Sequence, residues 1–186
     1  MWWIVPVVIG ALILLVIVWY IACANNFVRL KNNIEEAFST MDVYLKKRFD
    51  LIPNIVETVK GYAKHEKETF AEITAARAGV GSAKTANEKI KAENRMSQAI
   101  TSLFAIAENY PELKANTNFL DLQNQLKVIE SEIANSRKYY NACVKAYNIK
   151  IDIFPSSIVA RNKHLEKATL FEITNVKERE NVKVQF

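Results

Sequence analysis

Residues 2–24 read WWIVPVVIGALILLVIVWYIACA, twenty-three positions without a charge. As one α-helix the stretch covers ~30 Å of hydrocarbon at ~1.5 Å per residue. Trp2 and Trp3 stand at one end and Trp19 and Tyr20 at the other. About 24 Å of helix separates Trp3 from Trp19, which sets each aromatic pair at a headgroup layer and marks all four as membrane-interface residues. The stretch reads as a transmembrane anchor. A cleaved secretory signal needs a basic n-region and a shorter apolar core, and no basic residue precedes Trp2. Ala22-Cys23-Ala24 has the small residues of a cleavage site, and Cys23 invites a lipoprotein reading, but Tyr20 stands where a lipobox usually carries Leu. A buried core helix of a soluble protein is the weaker alternative, because no polar face exists anywhere in the stretch.

Arg29 and Lys31 follow the span closely, and Lys46, Lys47 and Arg48 come later. The positive-inside rule then places the N-terminus outside and the body in the cytoplasm, the alternative being a body on the periplasmic or extracellular side. The rest of the chain is long enough for one domain with its own core. With four Gly and four Pro in 186 residues, and a body rich in Ala, Lys, Glu, Asn, Ile and Leu, it favours long helices over sheets. The net charge of +5 is spread along the chain. That suits an anionic membrane surface and argues against nucleic acid as a partner. Cys143 is alone in the body, so no disulfide framework is available there.

Phe27, Leu30, Ile34, Phe38, Met41 and Leu45 recur at helical spacing and continue the anchor into a first helix ending near Phe49. Asp50-Leu51-Ile52-Pro53 predicts a break there, with Asp50 capping a second helix that runs to about Ala78. Residues 79–86 read as a loop. A third helix is predicted over 87–109, stopped by Tyr110-Pro111. The longest is predicted over 118–154, with Leu122, Leu126, Ile129, Ile133, Ser136, Tyr140, Cys143, Tyr147 and Phe154 in a four-three seam of coiled-coil type. Tyr139, Tyr140, Tyr147 and Phe154 read as core packing. The expected fold is all-α: an N-terminal transmembrane helix continuing into an elongated antiparallel four-helix bundle. Residues 1–25 form the anchor, 26–171 the bundle and 172–186 a tail of low order.

Two motifs look like chemistry and fail on their spacing. Gly79-Val80-Gly81-Ser82-Ala83-Lys84-Thr85 resembles a phosphate loop, but Ala83 and Ala78 occupy the required Gly positions and a helix precedes it. His65-Glu66 begins like a zincin motif, but Thr69 stands at the second His position. Arg48, Asp50, Asn54, Glu57, Arg137 and Asn141 would meet if the second and fourth helices pack together. Such a cluster offers either acid–base chemistry or a structural polar network that fixes helix register. No nucleophile or ligand set accompanies it, so the network is the reading, with no catalytic residue, cofactor or metal site.

Residues 48–66, RFDLIPNIVETVKGYAKHE, closely resemble the signature of the LemA family of bacterial membrane proteins. ENYPELKAN at 108–116 resembles that family's mid-domain turn, ANSRKYYN at 134–141 with Tyr147-Asn148 its last long helix, and FPSSIVA at 154–160 its terminal motif. The likeness extends over about 27–171. It implies a single-pass protein of the bacterial plasma membrane with a helical bundle domain and no established enzymatic activity. One relative's association with magnetosome membrane formation points to membrane organisation. Some relatives look like lipoproteins, from which this chain departs at Tyr20. The expected function is a membrane-anchored scaffold that forms a homo-oligomer or binds a membrane protein partner beside the lipid bilayer. The alternative is a ligand-binding or enzymatic module using the Asp50, Glu57 and Arg137 region.

Overall fold

A computed structural model describes residues 2–171, and the tail expected at 172–186 lies outside them. The described residues contain helices and no strand. In chain order these are α1 (Ile4–Tyr62), α2 (Lys67–Ser82), α3 (Ala86–Ala107), α4 (Pro111–Lys114), α5 (Thr117–Asp152) and α6 (Ser156–Asn162). The fold is all-α, with an apolar N-terminal helix leading into a bundle. It divides into two compact units. The first takes the chain up to Thr40 together with Ser136–Leu170, and the second is built on Met41–Asn135. The long helices α1 and α5 contribute to both.

The boundary expected at Asp50–Pro53 is absent: α1 continues through Pro53 to Tyr62. Proline leaves the carbonyl four residues earlier without its helical N–H. That carbonyl is Phe49 O, and Arg77 Nε of α2 donates to it at 3.4 Å, while the Arg77 guanidinium lies 4.1 Å over the Phe49 ring. A neighbouring helix thus supplies the donor that Pro53 lacks. The chain turns instead at residues 63–66, just after Gly61 weakens the last turn of α1. Tyr110 Oη donates to Glu66 at 3.1 Å, and Asn116 Nδ2 donates to Tyr62 Oη at 2.9 Å, which ties this corner to the segment around α4.

The loop expected over 79–86 shrinks to 83–85, and Gly79 and Gly81 belong to α2. Thr85 then starts α3 with a capping box. Its hydroxyl accepts from Glu88 N at 3.2 Å, and the Glu88 carboxylate accepts from Thr85 N at 3.2 Å and Lys84 N at 2.9 Å. These N–H groups hold the Glu88 carboxyl below its ordinary value. Pro111 opens α4, and Asn116 Oδ1 caps α5 by accepting from Phe119 N at 3.0 Å.

The core of the second unit gathers Ile52, Ile55 and Val59 of α1, Ile73 of α2, Met96 and Leu103 of α3, Leu113 of α4 and Phe119 of α5. Burial of each large apolar side chain contributes ~1.5–3 kcal/mol. In the first unit Cys23, Ala24 and Phe27 of α1 pack with Tyr147 of α5 and with Val159 and Ala160 of α6. The Phe27 and Tyr147 rings meet edge-on at 6.1 Å, and Phe38 meets Tyr140 at 5.8 Å. Of the four aromatic residues expected in the core, Tyr140 and Tyr147 are buried, but Tyr139 is 55% exposed and Phe154 80%. The seam fails at its end because α5 stops at Asp152, so Phe154 lies beyond the helix whose period was extrapolated to it.

Candidate functional site

Of the polar residues singled out in the sequence, Asp50, Asn54 and Glu57 do not join Arg48 in one cluster. Asp50 is exposed and pairs with Lys46 one turn earlier on α1. Glu57 is exposed and pairs with Lys60 at 2.9 Å. Asn54 is exposed too, and its carbonyl accepts from the Thr58 hydroxyl at 2.8 Å. All three face away from the stripe that α1 buries. Arg137 and Asn141 are half-buried on α5 and belong to the first unit.

Arg48 behaves differently. It occupies the apolar stripe itself, in step with Met41, Leu45, Ile52 and Ile55, and it is fully buried. Its guanidinium donates to the carboxylate of Glu93 on α3 and, at 2.7 Å, to Glu130 on α5. It donates further to Ser97 Oγ at 3.0 Å and to the Glu93 carbonyl at 3.4 Å. Ser97 Oγ in turn donates to that same carbonyl at 3.1 Å. One planar fork therefore joins three helices, which suits guanidinium far better than ammonium. Burial alone would lower the Arg48 pKa, but the charges and hydrogen bonds of Glu130 and Glu93 outweigh it and leave it above its ordinary value. A guanidinium held this way is no proton donor or acceptor. The sequence could have offered Glu93, since it shares a helical face with Ile90, Met96, Ile100 and Leu103.

A second polar arrangement lies in the first unit. Asn148 on α5 grips the backbone of Ala168 through both ends of its amide, each bond 2.9 Å. Tyr140 Oη donates to Thr169 O at 2.9 Å. The chain after α6 is thereby laid back along α5. No cluster of three or more His, Cys, Asp or Glu suited to a metal ion occurs among the described residues.

The apolar start of α1 completes the inventory. Its best eighteen-residue window has a mean hydropathy of 2.9 and none of it is covered by the protein. Trp2, Trp3 and Trp19 are exposed and Tyr20 is half-buried. These features define a class: helical-bundle membrane proteins with an apolar N-terminal helix long enough to cross a bilayer and a buried Arg–Glu fastener between helices. The chain belongs to the LemA family, whose model matches residues 37–186.

Two named relatives extend the comparison. Protein LemA of Metamycoplasma hominis is 26% identical over 84% of this chain and 72% of its own length. Magnetosome protein MamQ 2 of Paramagnetospirillum magneticum is 24% identical over 80% of this chain and 64% of its own length. Neither name is that of an enzyme.

Proposed function

We propose that this protein is a non-enzymatic scaffold of the bacterial plasma membrane. One apolar helix anchors it, and its helical body gathers further copies of itself or a membrane protein partner. The observation that carries the reading is the uncovered apolar start of α1, which runs without a break into the packed helix of the first unit. The buried Arg48 supports it, because that group fastens helices and is exhausted by doing so. The magnetosome name of the MamQ relative supports a role in membrane organisation. Arg29 and Lys31 support a cytoplasmic body with the N-terminus outside.

Chemical crosslinking and mass measurement of the detergent-solubilised full chain test the scaffold reading. The expected result is an assembly larger than one chain or a co-purifying membrane protein. A strict monomer without a partner would overturn it. Labelling of Cys143 by a membrane-impermeant maleimide tests the side, with reaction expected only after the membrane is opened.

A further inference from the structure

Large apolar side chains on soluble surfaces are usually scattered, and a contiguous set of them marks a contact. The end of α5 and the start of α6 carry such a set. Ile149 is 47% exposed, Ile153 51%, Phe154 80% and Ile158 49%. Ile149 and Ile153 are one turn apart on one face of the chain, as Ile153 N donates to Ile149 O at 3.0 Å. Ser156 Oγ donates to Lys150 O at 2.8 Å and to Ile153 O at 3.0 Å, which fastens the turn to the end of α5. The exposed set therefore sits on a braced corner.

The level of this corner follows from contacts within the first unit. Phe38 meets Tyr140 and Phe27 meets Tyr147, so α5 runs antiparallel to α1. From the second contact α5 runs only to Asp152, and α6 then packs Val159 and Ala160 with Cys23 and Ala24, which brings the α5–α6 corner to the Tyr20–Ala24 end of the span. Packing agrees, since Tyr20 and Ile151 both flank the cluster of Cys23, Phe27, Val159 and Ala160. Tyr20 and Trp19 are the aromatic pair that closes the span. The uncovered corner thus stands at the height of the headgroup layer. Between positions 145 and 167 the chain carries five Lys or Arg against two Asp or Glu, a balance that suits anionic lipid.

We propose that the α5–α6 corner is a second membrane contact, in which Ile153, Phe154 and Ile158 enter the interfacial layer of the bilayer that α1 crosses. This rests on the membrane-anchored reading above. The corner lies in the interface, apolar side chains in the acyl boundary and basic groups among the headgroups, without spanning it. The body is then held at two points, and the first unit cannot swing freely about its anchor.

The test uses the full chain in phosphatidylcholine–phosphatidylglycerol vesicles. An environment-sensitive fluorophore is attached through Phe154→Cys in a Cys23→Ala, Cys143→Ser background, and in a parallel protein through Val128→Cys. Phe154 and Val128 are both well exposed, so neither substitution removes core packing. The three tryptophans, Trp2, Trp3 and Trp19, all lie in the anchor and report its insertion in the same samples. The expected result is that brominated lipid quenches both the tryptophans and the probe at 154, while iodide quenches the probe at 128 severalfold more than that at 154. Tryptophan quenching by lipid with a probe at 154 as open to iodide as that at 128 would overturn the proposal and leave the anchor standing. A probe at 154 shielded from iodide yet untouched by brominated lipid would also overturn it, in favour of a covering protein. Tryptophans untouched by brominated lipid would remove the anchor, and this proposal with it.

Discussion

Arg48 and Glu93 form an ion pair from within the apolar stripes of α1 and α3, with both side chains almost fully removed from water. Taking two charges out of water is expensive, and good geometry offsets the cost only while both partners remain. Arg48→Met strands Glu93 in the core and is expected to cost ~3–5 kcal/mol. The double variant Arg48→Met with Glu93→Leu leaves Glu130 able to reach solvent, and is expected to recover most of that loss. Thermal and denaturant melts of the full chain in detergent, followed by circular dichroism, measure both. Equal losses in the single and double variants would show that the pair is not coupled as described.

Pro53 and Arg77 are coupled through one carbonyl, Phe49 O. Arg77→Ala removes the donor and the guanidinium over the Phe49 ring, with an expected loss of ~1–2 kcal/mol. In a Pro53→Ala background the restored N–H returns to Phe49 O. Arg77→Ala should then cost clearly less. A double-mutant cycle of melting temperatures reads this coupling directly.

His164 sits in the left-handed region with φ of 49°, just past α6. His164 N donates to Arg161 O at 3.1 Å and Leu165 N to Ala160 O at 3.0 Å, the two bonds of a Schellman close. A side chain there is strained and glycine is not. His164→Gly is expected to hold or raise stability by up to ~1 kcal/mol, and His164→Val to lower it by about as much. Melts of the full chain separate the two directions.

Tyr140 and Tyr147 carry phenol pKa values pushed up by burial. The unfolded chain ionises first on the alkaline side. Their contribution is thus fully present below the unfolded tyrosine pKa of about 10 and is lost as pH rises from there through the folded values. Tyr140→Phe loses the bond to Thr169 O, about 1 kcal/mol near neutral pH. It should also flatten the alkaline fall in melting temperature. The capping box works in the opposite sense. The depressed Glu88 carboxyl stabilises above its unfolded pKa, and this is lost as pH falls through the folded value. Glu88→Gln, which removes the titrating carboxylate, should therefore blunt an acid limb and leave the alkaline one alone, as a pH series of melts would show.

The apolar span was plain in the sequence because each of its residues votes the same way, and the last long helix because its seam repeats. What escaped depended on residues far apart in the chain. Pro53 reads locally as a helix start, and only Arg77, twenty-four positions later, reverses that. Arg48 looked like a member of a nearby polar group, whereas its carboxylates lie 45 and 82 positions away. Asp50, Asn54 and Glu57 are polar and close in number to Arg48, but helical phase turns them to the opposite face. The Thr85–Glu88 capping box was within reach, since its four-residue spacing is visible, but the glycines just before it made the stretch look like a loop.

The absence of a break between Ala24 and Phe27 has a mechanical consequence. A jointless helix couples its two ends in azimuth and in pitch. If a thinner bilayer forces the lipid-facing end to lean, α1 carries the lean into Phe27 and Phe38, and through their ring contacts into α5. Such a lever ties any tilt of the apolar start of α1 to the tilt of the packed helices of the first unit.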